Sequence, residues 1–226
     1  MKEKLFAVLT GDIANSSRFK GNDRRKLLDL VKHSFAEVKN ILGDDVMAFP
    51  FEIFRGDSFQ GVLQNPEEAL RAAIIIRASI RAGFRVPLSG AADARIAVGV
   101  GTISLMPVKS SGEGDGAAYR NSGPELDKMP KHSRMMIIKT PWHLTNEELN
   151  VECAMLDTII SRWSSVQAEV VMGFLKGLTQ EEMAKIFDVS QPAVKKRISS
   201  ANMYPIELML HRFENIFKEN YNLVGL

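Results

Sequence analysis

The order of apolar patterns along the chain constrains its fold most strongly. Short apolar runs of strand length alternate with segments whose apolar side chains recur at helical spacing, up to about residue 139. The predicted strands are 5–9, 46–54, 58–63, 95–103 and 134–138, and the predicted helices between them are 22–42, 67–83 and 116–129. The order βαββαβ followed by αβ predicts an α+β fold, with an antiparallel ferredoxin-like or palm sheet and helices on one face.

The pattern changes after residue 139, because the remaining chain has helical periodicity throughout. The first 139 residues carry 21 basic and 16 acidic side chains, and the remaining 87 carry 8 basic and 11 acidic ones. We therefore predict an α+β domain over 1–140 and an all-α domain over 149–226. Thr140, Pro141 and the polar stretch 145–150 are interpreted as the linker between them.

Composition excludes several classes of protein. The single cysteine, Cys153, excludes an internal disulfide framework and a cysteine-based zinc site. The run 5–9 is too short for the apolar core of a signal peptide, and the longest uncharged apolar stretch, 96–108, is interrupted by glycines and a proline. We expect no membrane contact and a cytoplasmic location. The net charge of +2 argues against unspecific coating of nucleic acid.

Two aspartates are candidate metal ligands. Asp12 follows the first predicted strand, and Asp57 lies beside Gly56 in the predicted hairpin turn. In a βαββ unit these two positions lie at one edge of the sheet, and carboxylates that converge there suit Mg²⁺ or Mn²⁺ with substrate phosphates. The alternative is that each aspartate only caps a turn.

The α+β part resembles the catalytic fold of class III adenylate and guanylate cyclases. The segments 11–13, 56–57 and 95–101, together with Asn121 in its predicted helix, are similar in order and spacing to motifs of that family. The resemblance implies metal binding by Asp12, Asp57 and the backbone carbonyl of Ile13. It also implies nucleotide binding near Asn121, and a site formed across a dimer.

Two positions depart from the cyclase pattern. Ile53 stands where the family has an adenine-selecting lysine, and Glu125 stands where it has the arginine that stabilises the transferring phosphate. An acid opposes the negative charge that develops there, so Glu125 does not replace that arginine. Arg120, on the same predicted helix, is the candidate substitute. This combination suggests nucleotide binding without efficient cyclisation. The motif at residues 10–16 also resembles the bacterial SatD-type proteins, a cyclase-like family.

Two further patterns favour a structural role over a binding role. Arg71, Arg77, Arg81 and Arg85 recur along the second predicted helix, and we interpret them as its solvated face. The Gly-rich segment 110–116 lacks the Lys-Ser/Thr of a phosphate-binding Walker loop, so we interpret it as a mobile surface loop.

The strongest local signal lies at 178–201. Thr179 and Glu182 have the spacing of a capping box that opens a short helix, and Ser190 is the predicted N-cap of a second helix. The pattern is similar to the helix-turn-helix of sigma-factor region four. In such a motif the second helix enters the major groove of DNA. The candidate DNA-binding residues are Ser190, Gln191, Ala193, Lys195, Lys196 and Arg197.

We expect a homodimeric, DNA-binding transcriptional regulator whose cyclase-like domain binds a nucleotide or mediates dimerisation. One alternative is an active metal-dependent nucleotidyl cyclase or phosphoryl transferase. A second is a protein-interaction module that binds neither nucleotide nor DNA. In that case the basic side chains of the predicted recognition helix, Lys195, Lys196 and Arg197, are merely solvated.

Overall fold

The computed structural model describes residues 3–84, 92–130 and 133–223, which form a mixed α+β fold with a mostly antiparallel sheet. The strands are β1 (Phe6–Ile13), β2 (Met47–Arg55), β3 (Ser58–Leu63), β4 (Ala94–Gly101), β5 (Ile103–Leu105), β6 (Asp115–Gly116) and β7 (Met136–Lys139). The helices are α1 (Gly21–Leu42), α2 (Ala69–Gly83), α3 (Ala117–Lys128), α4 (His143–Ser161), α5 (Ser165–Leu175), α6 (Gln180–Ile186), α7 (Gln191–Ser200) and α8 (Met203–Leu223).

The central sheet has the strand order β2-β3-β1-β4-β7. All neighbouring strands are antiparallel except β4 and β7, which are parallel. The apolar alternation of β1 sets its two faces, because successive side chains of a strand point to opposite sides. Ala7 and Leu9 are fully buried in the main core against α1 and α2, whereas Val8 is buried on the other face beside Ala118 of α3.

The predicted placement of helices on one face is therefore wrong, because α3 covers part of the second face. Gly99 and Gly101 of β4 permit this contact. A Cβ atom at Gly99 would lie 2.2 Å from the carbonyl oxygen of Ala118, and one at Gly101 would lie 2.7 Å from the nitrogen of Ala118. The pattern of the strand does not reveal which helix passes over it, so the second layer was missed.

The arginines of α2 also correct the sequence interpretation. Arg77 is fully buried and Arg81 is only 5% exposed, whereas Arg71 is partly buried; Arg85 lies outside the described residues. Arg77 forms two hydrogen bonds of 2.9 Å with Asp93 and one of 2.5 Å with Asp157 of α4.

Arg81 completes this buried network. Its guanidinium donates to Asp93 at 3.2 Å and to the carbonyl oxygens of Ser161 and Trp163 at 2.8 and 2.9 Å. Burial alone lowers the pKa of Arg77, but the Asp93 and Asp157 carboxylates raise it above its ordinary value, so Arg77 remains charged.

The predicted linker at 145–150 lies inside α4, which begins at His143. The helical part packs on the α+β part, because the main apolar core includes buried residues of α4, α5 and α8 together with those of α1 and α2. Asp157 of α4 also accepts hydrogen bonds from the backbone amides of Met135 and Met136, at 2.8 and 3.1 Å. Within the described residues, no helix is long and apolar enough to cross a bilayer.

Candidate ligand cleft and nucleic-acid interface

The structure places Asp12 and Asp57 in the lining of one polar cleft of about 420 Å³. Asp12 lies near the end of β1, and Asp57 follows Gly56 in the two-residue turn between β2 and β3. Gly56 has a φ of +64°, a conformation that glycine adopts without steric cost. The other lining residues are Ile13, Ala14, Asn15, Ser16, Ser17, Ser58 and Arg95.

Arg95 engages Asp12 in a bidentate ion pair. The Nε atom of Arg95 donates to Oδ1 of Asp12 at 2.8 Å, and its Nη2 atom donates to Oδ2. The two residues are direct partners in the β1–β4 register. The side chain of Arg95 is 8% exposed and that of Asp12 is 23% exposed. This arrangement is a fork-shaped, charge-assisted pair, which is among the stronger polar contacts in proteins.

The oxygen atoms that line the cleft are of the type that binds a divalent cation, but those of Asp12 are already paired with Arg95. Carboxylate and hydroxyl oxygens suit Mg²⁺ or Mn²⁺, yet both oxygens of Asp12 already accept hydrogen bonds from Arg95. Ile13 lines the cleft, although its side chain is buried in the main core. Among the described residues there is no group of three or more His, Cys, Asp or Glu side chains that could hold a metal ion.

The two predicted nucleotide-binding residues are not in the lining of this cleft. Asn121 donates from its side-chain amide to the carbonyl oxygen of Val100 at 2.9 Å. Arg120 forms an exposed ion pair of 2.7 Å with Asp115. Glu125, at the position where the cyclase pattern has an arginine, pairs with Lys139 of β7 at 2.8 Å.

A polar row beside the cleft was missed by the sequence analysis. The hydroxyl of Thr10 accepts hydrogen bonds from the side chains of Gln60 and Ser122, at 2.7 and 2.8 Å, across three elements. The alternation of β1 places Thr10 on the same face as Asp12. The sequence therefore indicates that Thr10 and Asp12 share a face of the sheet. The hydrogen-bond partners of Thr10 depend on the strand register and on the position of α3, which the local pattern does not give.

The Gly-rich segment 110–116 is anchored rather than free. One carboxylate oxygen of Glu52 accepts hydrogen bonds from the Ser110 hydroxyl at 2.7 Å and from the Ser111 amide and hydroxyl at 2.7 and 3.0 Å. Burial raises the pKa of Glu52, but these hydrogen bonds together lower it by more, so the net shift is downward. Glu52 therefore fastens this segment to β2.

The helices α5, α6 and α7 enclose a small apolar core of their own. Val170, Met183 and Val194 are buried there, one from each helix. Both α5 and α6 begin with a complete capping box; in α6 the Thr179 amide donates to Glu182 at 2.8 Å, and the Glu182 amide donates to Thr179 at 3.2 Å. A Cβ atom at Gly173 would lie 2.6 Å from the Met183 sulfur, so glycine permits the close contact between α5 and α6.

The predicted recognition helix, α7, exposes most of its candidate residues. Gln191, Lys195 and Lys196 are exposed, whereas Ala193 and Arg197 are half-buried. Ser190 is the N-cap residue and is exposed, but its side chain forms no capping hydrogen bond. Val194 is buried in the small apolar core and Ile198 packs against it, whereas Lys195 and Lys196 are exposed.

Comparison with known proteins identifies the family. The model of the SatD family matches residues 6–211, which include the sheet and most of the helical part. The chain belongs to the SatD family. Comparison with curated proteins gives no match.

The chain is also similar to the solved structure of the active GGEEF domain of a diguanylate cyclase from Vibrio cholerae. The identity is 18%, and the match covers 62% of this chain and 85% of that chain with a TM-score of 0.41. A score this low carries no assignment of fold or activity.

Proposed function

We propose that the protein binds DNA through α7 and acts as a transcriptional regulator. The observation that carries this proposal is the exposure of Gln191, Lys195 and Lys196 on α7, while Val194 anchors the helix in a small three-helix core. A capped α6 followed by α7 matches the element order of a helix-turn-helix. This role agrees with the cytoplasmic location expected from the sequence.

The side chains of α7 have separate parts in this proposal. Gln191, at the first turn of α7, is suited to the edge of an adenine base. Lys195, Lys196 and Arg197 neutralise phosphates or reach guanine. Ser190 and Ala193 lie at the end of α7 that approaches the groove.

The direct test is fluorescence anisotropy with a labelled pool of genomic DNA fragments at low salt, about 50 mM KCl. The variant Lys196→Glu with Arg197→Glu replaces two cations on α7 by anions. We expect it to weaken binding by at least about tenfold, because it removes two contacts and adds repulsion.

The matched control is Arg25→Glu with Lys26→Glu, which changes the net charge equally at two exposed residues of α1. It should bind DNA much as the unaltered protein does. Equal losses in both variants would mean that total charge, not α7, governs binding. Unchanged binding in the α7 variant would contradict the proposal and favour the protein-interaction alternative.

A second candidate function is supported by the cleft. Asp12 and Asp57 line it together, with the side chains of Asn15 and Ser16 beside them. We propose that it binds the phosphates of a nucleotide together with Mg²⁺ or Mn²⁺, to which Asn121 and Arg120 would contribute across a dimer. Glu125 and its partner Lys139 leave no arginine at the transition-state position, which favours binding over cyclisation.

Thermal shift with a panel of nucleoside triphosphates, with and without Mn²⁺, tests this second function. A ligand at 100 times its Kd adds about 2.7 kcal/mol of stability. The shift should disappear in Asp57→Ala, and a panel without any shift would contradict nucleotide binding. Release of pyrophosphate that depends on Asp57 would favour the enzyme alternative instead.

We propose that the sheet is ferredoxin-like, because four neighbouring strands have the order β2-β3-β1-β4. We also propose that the protein is a homodimer. The outer surface of α4 and α8 is the candidate interface, since it exposes Met155 by 63% and Leu208 by 53% beside a groove of about 270 Å³. Leu208→Glu should shift the protein from dimer to monomer in sedimentation analysis. Leu105→Glu, at a leucine of β5 that is 57% exposed, is the matched control and should leave the dimer intact.

A further inference from the structure

The ion pair between Arg95 and Asp12 determines what the polar cleft can bind. Both nitrogens of the guanidinium fork that face Asp12 donate to it, one to each carboxylate oxygen. The remaining Nη1 atom of Arg95 donates to the carbonyl oxygen of Met129 at 3.1 Å. Arg95 is therefore fixed by Asp12 and by the Met129 carbonyl, and its positive charge lies beside Asp12, the carboxylate that the sequence predicts to bind a metal.

The pairing follows from the sheet itself rather than from a flexible surface contact. Asp12 and Arg95 are cross-strand partners in the β1–β4 register, so their side chains leave the sheet on the same face. Gly11 keeps the strands close, because a Cβ atom there would lie 2.7 Å from the carbonyl oxygen of Arg95. With 8% of its side chain exposed, Arg95 has little access to water as an alternative partner.

We propose that Arg95 is a resident cation that takes the position of a divalent metal on Asp12 and so sets the metal affinity of the cleft. A metal ion bound to the same carboxylate must displace the guanidinium or lie close to it. Either event is unfavourable, because the first breaks two charge-assisted hydrogen bonds and the second places like charges together.

This inference rests on the proposed cation-binding role of the cleft and assigns its control to one side chain. The positive charge of Arg95 compensates the negative charge of Asp12, so Asp57 is the remaining uncompensated anionic group in the lining of the cleft. A single carboxylate binds Mg²⁺ or Mn²⁺ weakly without further ligands. The intact protein should therefore bind free divalent cations weakly, and removal of the guanidinium should reveal a stronger site.

The experiment is titration of the full chain with Mn²⁺, followed by the electron paramagnetic resonance signal of the free ion. The variant Arg95→Met removes the guanidinium and keeps an unbranched side chain. We expect Mn²⁺ to bind at least about tenfold more tightly to it than to the unaltered protein, because both oxygens of Asp12 become available. Adding Asp12→Asn to Arg95→Met should abolish the gain.

The matched control is Arg71→Met, which removes a partly buried arginine from its ion pairs with Glu68 and Glu214, outside the cleft. It should leave Mn²⁺ binding unchanged. Arg95→Lys provides a second variant in case Arg95→Met does not fold, as judged by circular dichroism. Lysine keeps the charge but cannot form the fork, so it should give a smaller gain in affinity.

The inference is overturned if folded Arg95→Met or Arg95→Lys binds Mn²⁺ no more tightly than the unaltered protein. If the unaltered protein then already binds Mn²⁺ tightly and Asp12→Asn abolishes that binding, the cleft is a cation site and only the role of Arg95 is rejected. If neither the unaltered protein nor the variant binds Mn²⁺, the proposed cation-binding role of the cleft is rejected as well. None of these results bears on DNA binding, because the titration contains no DNA.

Discussion

Two helices of this protein carry several basic side chains, and the structure uses them in opposite ways. On α2, Arg77 and Arg81 are buried in a network with Asp93 and Asp157. On α7, Lys195 and Lys196 are exposed. A row of cations on a helix therefore indicates a solvated or binding face only when the rest of that helix has an opposite, apolar side.

The residues that surround the basic side chains distinguish the two helices. The run from Leu70 to Ile80 in α2 is apolar at nearly every helical angle, which is typical of a helix buried on all sides. In α7 only Val194 is fully buried, and most of the other residues are polar. The apolar residues of α2 thus indicate that Arg77 and Arg81 are internal, whereas the spacing of the arginines alone does not indicate it.

Arg77→Met should give the largest effect on stability. It leaves Asp93 and Asp157 without their main cationic partner in the interior, so the free energy of unfolding should fall by about 3–5 kcal/mol. Urea denaturation followed by circular dichroism measures this. A loss below 1 kcal/mol would show that water or Arg81 compensates, and that the network is not essential to the fold.

Asp157→Asn should cost less, about 2 kcal/mol. The retained oxygen can still accept from the backbone amides of Met135 and Met136, which both donate to one oxygen of Asp157, but the variant loses the charge that pairs with Arg77. The same urea measurement tests it. A cost equal to that of Arg77→Met would indicate that Asp157, which joins α4 to the sheet, is the dominant member of the network.

Thr179→Ala should destabilise α6 by about 1 kcal/mol, because it removes the capping hydroxyl. Thr179→Ser keeps this hydroxyl and is the control. Hydrogen bonds from Thr179 lower the pKa of Glu182, so this contribution is present above the unfolded carboxyl pKa and declines as pH falls through the lower folded value. The difference in the free energy of unfolding between the two variants, measured with urea, should therefore be smaller at acidic than at neutral pH. A difference that does not change with pH would contradict the role of Glu182.

Lys196→Met should change the free energy of unfolding least, within about 0.5 kcal/mol. The side chain is exposed on α7 and has no role in the apolar core. Its comparison with Arg77→Met in the same urea experiment replaces a basic side chain by the same residue in both helices. Equal losses would contradict the distinction between the two helices.

Much of the fold could be predicted from local pattern. The helix α1 and the strand β3 agree closely with the predicted segments, because each has a clear period and clear end signals. The predicted linker hides the start of α4, since the polar stretch 145–150 has the composition of a linker although it is helical and buries Leu149. The single predicted strand 95–103 is two strands, β4 and β5.

The candidate cleft could be predicted only in part. Asp12 and Asp57 follow from strand and turn signals, and the structure brings them to one cleft. The role of Arg95 depends on the register between β1 and β4, which no local pattern specifies. The buried pairing of Arg77 with Asp157 is likewise long-range, since the two residues lie 80 positions apart.

The salt dependence of DNA binding tests the central claim, that α7 contacts the phosphate backbone. The measurement is the slope of log binding constant against log salt concentration for the unaltered protein and for Lys195→Gln with Lys196→Gln. If both lysines contact phosphates, the magnitude of the slope should fall by about two in the variant. An unchanged slope, with DNA still bound, would contradict the claim.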